Sequence, residues 1–176
     1  CADVFNADGT PIFAANYTYT TKSGVKIGFF GMETPETQTK ANPALIKGLT
    51  FATDDAFTKA AADQVKALKD DDIVICVSHL GVDAESKPYR STDLYAAVKG
   101  IDFIIDAHSH TVMTKGENGE PIQSTGTKFA NIGVIVIDDA SKKIESNSLY
   151  EIKEDTAKDA TVADAAQTIL DRLDQA

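Results

Sequence analysis

The sequence predicts an α/β domain with neighbouring parallel strands, and three observations lead there. Residues 73–77 and 101–105 are apolar runs, broken only by Asp102, as in strands covered on both faces. A stretch with helical patterning, at about residues 92–99, lies between them. Strand, helix, strand is a crossover unit, so the two strands run parallel and lie close together. All three histidines of the chain, His79, His108 and His110, stand just beyond the ends of those two strands.

Composition agrees with one domain or a large part of one. The chain has 176 residues, of which 43% are hydrophobic. A globular chain of this size buries roughly 70% of its unfolded surface, enough for a true core. Seventeen basic against 27 acidic residues leave a net charge of -10, which disfavours binding to a nucleic-acid polymer. A bound dication still outweighs distant surface carboxylates, so a metal-dependent phosphate site stays open. No apolar run approaches the ~18 residues that a membrane span needs. Cys76 lies in the run Ile73-Val74-Ile75-Cys76-Val77 and reads as a packing thiol. Cys1 reads as a cleavage boundary rather than an acylated lipoprotein residue.

In chain order, residues 2–5 read as a short strand and Gly9-Thr10-Pro11 as a turn. Residues 13–20 and 25–31 read as strands joined by a hairpin loop over 21–24. Pro35, Pro43 and Gly48 make 32–52 irregular. A helix over about 54–69 follows, with Phe57, Ala60, Ala61, Val65 and Leu68 on one face. After the crossover, residues 113–120 form a polar loop with an Asn118-Gly119 turn, and 133–137 and 146–152 are strands. The last helix, 161–174, is expected to start at a Thr161 cap and to bury Val162, Ala165, Ile169 and Leu173. Residues 1–152 are expected to form one unit, and 153–176 a linker and terminal helix.

Parallel strands end on one edge of a sheet, where open α/β folds place their sites. His79 and the pair His108, His110 should therefore face one crevice. Two histidines one residue apart in extended backbone point to the same side, with Cβ atoms roughly 6.5 to 7 Å apart. That spacing suits one shared metal, or one each of two metals about 3.5 to 4 Å apart. Imidazole suits zinc, iron and manganese sites that also hold carboxylates. Asp102 and Asp106 share the parity of the histidine pair; both read as strand-end carboxylates, with Asp106 alternatively a partner to a ligating histidine.

At Ser78-His79-Leu80-Gly81 and Ala107-His108-Ser109-His110-Thr111 the sequence resembles the metallophosphoesterase (calcineurin-like) domain of the 5'-nucleotidase family. Gly24-Val25-Lys26-Ile27-Gly28-Phe29-Phe30-Gly31, Thr34-Pro35-Glu36-Thr37, Asp93-Leu94, the run Val98-Lys99-Gly100-Ile101-Asp102 and Pro121-Ile122-Gln123 with Gly126 are similar too. The resemblance implies part of a four-layer α/β/β/α sandwich and a nucleotide substrate. It also implies two divalent metal ions, zinc, manganese or similar. Carried over by position, His79 and His108 bind one metal and His110 the other. Ala107 stands where the family has glycine. The family's Asp-x-His, Gly-Asp and Gly-Asn-His-Glu motifs do not occur here, so the chain is expected to be the second half of a catalytic domain, inactive alone. The resemblance also implies an extracellular, periplasmic or cell-envelope location. Exposed sheet edges would favour pairing with another copy. Two rivals stand beside this reading: a mononuclear zinc hydrolase using all three histidines, and a non-catalytic binding or structural module.

Overall fold

The computed structural model describes residues 1–174. Its centre is a six-stranded sheet ordered β2-β3-β5-β6-β8-β7, from β2 (Asn16–Thr20), β3 (Lys26–Glu33), β5 (Ile73–His79), β6 (Phe103–Ile105), β8 (Ile122–Thr125) and β7 (Val112–Met113). The four middle strands are parallel, and β2 and β7 close the edges antiparallel. The expected crossover is present: β5 leads through α3 (Ser91–Ala97) to β6, with Ile75 beside Phe103 and Val77 beside Ile105. Two further two-stranded sheets pair β1 (Val4–Asn6) with β4 (Leu49–Phe51), and β9 (Asn131–Asp138) with β10 (Lys143–Glu151).

Alternation along the strands sends side chains to two cores. Phe30, Met32, Val74, Cys76, Ile104 and Ile122 meet α2 (Asp54–Ala67) and α3 through Phe57, Ala61, Leu68, Leu94 and Val98. Burying each large side chain of this set contributes about 1.5–3 kcal/mol. Cys76 is wholly buried, as its apolar run predicts. On the other face Ile27, Ile73, Ile75 and Phe103 meet Ile135, Ile137 and Ile144 of the β9–β10 hairpin. Gln123, itself buried, pins that hairpin with its amide nitrogen, which donates to Ser148 O at 3.1 Å and to Asn147 Oδ1. The described layers are therefore helix, sheet, sheet. No helix covers the outer face of the hairpin among the described residues, and Ile132, Val136 and Tyr150 are exposed there.

Three expectations need correction. The stretch expected to be irregular holds the one-turn helix α1 (Thr37–Lys40) and strand β4, because β1 supplies a partner that no local pattern announces. The last helix, α4 (Ala160–Leu173), is capped by Asp159, whose carboxylate accepts from Val162 N at 3.0 Å, so Thr161 lies inside it. Its apolar stripe is real but not buried: Val162, Ile169 and Leu173 are exposed, since α4 has no buried residue. Of the expected terminal unit, residues 175 and 176 lie outside the described part. No helix of the described residues is long and apolar enough to cross a membrane.

One buried carboxylate has a pH consequence. Asp3 is fully buried, and both its oxygens accept from Glu33 N at 3.1 and 3.0 Å. Burial pushes its pKa from 3.8 up to about 7, against the pull of the Glu33 N–H. The folded chain thus binds this proton more tightly than the unfolded chain. The stabilisation is fully present below the ordinary carboxyl range and is lost as pH rises through about 7. Asp3→Asn should therefore gain stability relative to the parent between about pH 5 and pH 8, and the difference should be flat below about pH 4. Urea unfolding of both proteins across that range checks this; a difference independent of pH would contradict it.

Candidate metal centre

β5 ends on His79, and β3 ends on Glu33 directly beside it in register. The extended run puts His79 on the face of Ile73, Ile75 and Val77, beyond the part of the sheet that the hairpin covers. His108 follows β6 in the loop after Asp106. Its ring meets that of His79: Nδ1 of His108 lies 3.1 Å from Nε2 of His79, with the ring planes at 65°. Parallel neighbours ending on one edge bring these two together as the sequence predicts.

The loops carrying them are stitched to one another. Asp106, buried, accepts at Oδ1 from Ser78 Oγ (2.7 Å), Leu80 N (3.2 Å) and Gly81 N (3.3 Å). Ser109 Oγ accepts from Val82 N at 3.3 Å. Gly81 has φ +72°, and a Cβ there would stand 3.1 Å from His108 Cδ2 and 3.2 Å from Ser109 N. Glycine is thus needed both for its left-handed backbone and for the close approach. Asp106 behaves as the strand-end carboxylate of the simpler reading: its donors belong to the β5 exit, and no imidazole bonds to it.

A cavity of about 360 Å³ opens beside the pair, lined by Glu33, Thr37, Lys40, Ala41, His79 and His108. Glu36, at the start of α1, reaches the far side of His108, with Oε2 2.9 Å from Nε2. Lys40 Nζ meets the same oxygen at 2.5 Å. Lys40 first, and then the His108 imidazole and Ser86, hold the Glu36 carboxyl down at about 2 against burial, so it is a carboxylate at neutral pH. Glu36 is the site residue that sequence reasoning missed as a site residue; its contact spans 72 positions. His110 does not join the cluster: it is exposed, it does not line the cavity, and it bonds neither ring. The extended-backbone argument fails here, because φ is +84° at His108 and +54° at His110. Among the described residues no group of three or more His, Cys, Asp or Glu is arranged to hold a metal ion.

Two nitrogens do fit. Ligands at about 2.0–2.1 Å from one tetrahedral zinc stand roughly 3.3 Å apart, and His79 Nε2 and His108 Nδ1 stand 3.1 Å apart. The two nitrogens amount to half of a tetrahedral donor set, and Asp106 ties together the loops that carry them. Asp106→Ala should therefore cost about 3 kcal/mol, since it strands two buried N–H groups and a hydroxyl, and Asp106→Asn should cost less by keeping an acceptor. Chemical denaturation checks both; equal and negligible losses would contradict the stitching.

No protein-family model matches the chain. Over 104 residues, 56% of its length, it is 36% identical to the trifunctional nucleotide phosphoesterase protein YfkN of Bacillus subtilis (strain 168), of which it spans 6%. The crystal structure of calcineurin-like phosphoesterase YfkN from Bacillus subtilis superposes with a TM-score of 0.75 at 20% identity, covering 97% of this chain and 61% of that one. The sulfate thiohydrolase SoxB of Thermus thermophilus gives 0.74 at 17% identity, covering 93% of this chain and 30% of that one. The 5'-nucleotidase from Candida albicans gives 0.57 at 16%, covering 89% and 31%. In sequence over half its length, and in fold over nearly all of it, the chain resembles part of the calcineurin-like phosphoesterases and 5'-nucleotidases, as its two histidine motifs led us to expect.

Proposed function

We propose that this chain forms part of a metal-dependent phosphoesterase that hydrolyses phosphate esters of nucleotides, of the 5'-nucleotidase or 2',3'-cyclic-nucleotide phosphodiesterase type. The observation that carries the reading is the pair of imidazole nitrogens facing each other at 3.1 Å beyond two parallel strand ends. The sequence relation to YfkN, a nucleotide phosphoesterase by name, supplies the substrate class. On this reading residues 1–152 contribute to the catalytic domain, and 153–176 lead away from it as a connection and helix. His79 and His108 are ligands of one divalent cation, and His110 is a ligand of a second, supplied with its other partners from outside this chain.

The chain's own residues have definable parts in that chemistry. His79 presents Nε2 and His108 presents Nδ1, each a lone-pair donor once neutral and unprotonated at that atom. Asp106 and Ser109 fix the separation of the two loops, so that both rings approach the same point. Glu33 and Thr37 wall the cavity next to them, Thr37 Oγ1 donating to Glu33 Oε1 at 2.7 Å. Divalent cations held there supply Lewis acidity toward a phosphoryl oxygen and a water acidic enough to serve as nucleophile near neutral pH. Three candidate ligands do not make a complete dinuclear site, so the chain alone should not hydrolyse AMP. The single-zinc alternative needs all three histidines at one point, and the exposed, separate position of His110 gives it no geometric support.

Zn²⁺ or Mn²⁺ should raise the melting temperature of the chain, because a cation that binds only the folded state stabilises it. His79→Ala or His108→Ala should remove most of that rise, and His110→Ala should leave it largely in place. A longer protein containing this chain should lose AMP hydrolysis on either of the first two substitutions. No shift with any divalent cation, or AMP hydrolysis indifferent to His79 and His108, would overturn the reading.

A further inference from the structure

Resting on the reading of His79 and His108 as ligands, we infer that Glu36 is the positioning residue of the pair. Its carboxylate fixes the proton of His108 on Nε2 and so turns a bare Nδ1 toward His79 and the cation the two would share. The bond between Glu36 Oε2 and His108 Nε2 is 2.9 Å. An ionised carboxylate can only accept, so Nε2 carries the hydrogen. A neutral imidazole has one N–H, and Nδ1 is then a lone pair. That lone pair faces His79 Nε2 at 3.1 Å, and it accepts from His79 when that ring carries its proton on Nε2.

The carboxylate is held to this task. Both partners are largely shielded, with 15% and 18% of their side chains exposed, so water competes poorly for the bond. Glu36 opens α1, whose turn is closed by Lys40 N donating to Glu36 O at 2.8 Å. Lys40 Nζ braces the same carboxylate oxygen at 2.5 Å. Asp106, the carboxylate nearest in sequence, bonds to no imidazole: its Oδ1 takes three donors from the β5 exit, and its buried Oδ2 has no partner. A carboxylate behind a ligating histidine sets its tautomer and orientation, and removing one lowers metal affinity about 10–100-fold.

The test uses the purified chain with ¹⁵N-labelled histidine, first free of metal. Long-range ¹H–¹⁵N correlations near neutral pH should show His108 protonated at Nε2 and bare at Nδ1. In Glu36→Ala the same ring should become a mixture of tautomers. Lys40→Met removes the brace and not the acceptor, so it should keep the parent tautomer. Calorimetric titration with Zn²⁺ should then give an affinity about 10–100-fold weaker in Glu36→Ala, and Glu36→Gln should recover part of it through its amide oxygen. An unchanged His108 tautomer in Glu36→Ala, or an affinity within about twofold of the parent against the larger loss expected, would overturn the proposal. Equal effects from the Glu36 and Lys40 variants would also overturn it, by placing the effect in that ion pair rather than in the bond to His108. If Glu36→Ala does not fold, Glu36→Gln is read alone, with a smaller tautomer shift and a smaller loss of affinity expected; no change in either would overturn the inference. If the parent binds no Zn²⁺, the ligand reading fails, and the metal-free tautomer comparison still decides the role of Glu36.

Discussion

Two loops leave neighbouring parallel strands here, and their backbones must run close enough for their histidines to meet. Strand pairing alone ends with Val77 beside Ile105. Beyond that point the spacing is set by polar bonds, with Asp106 taking two backbone N–H groups and a hydroxyl from the β5 exit, and Ser109 taking a third N–H. The three bonds to Asp106 are buried, so each counts for more than a surface contact, and losing that acceptor leaves donors that water cannot reach. Gly81 permits the approach by having no Cβ where His108 needs room. The rest of the site inherits this spacing: the facing of the rings, the cavity beside them and the access of Glu36 to the far nitrogen.

Much of the scaffold was legible because its signals are local. Continuous apolar runs named β5 and β6 as covered strands, and the helical stripe of α2 matched the residues that pack on the sheet. Convergence of His79 and His108 followed from parallel strand order alone. The further fate of the histidine motif did not, since the backbone at His108 and His110 turns left-handed and strand alternation stops applying. Glu36 lies in a family-like stretch that gives it no role, because nothing in residues 34–37 says which strand end they approach. Strand β4 was missed for the same reason: its partner β1 lies far away in sequence. For α4 the pattern was read correctly and its consequence was not, as an amphipathic stripe shows that a face can be buried without showing what covers it.

The surface describes a chain whose apolar faces are unevenly covered. Helices cover one face of the large sheet, and the hairpin covers the part of the other face far from the histidines. Val77, next to His79 on that second face, is nearly half exposed. The acidic surface does not oppose cation binding at the sheet edge, and it disfavours extended polyanions. The chain spans 61% of the YfkN crystal chain.

The most direct measurement is anomalous diffraction at the zinc edge from crystals of the chain grown with Zn²⁺. The account predicts a peak about 2.0–2.1 Å from both His79 Nε2 and His108 Nδ1, with Glu36 still on Nε2 of His108. A peak bound to one histidine alone, or placed only elsewhere on the surface, would contradict it.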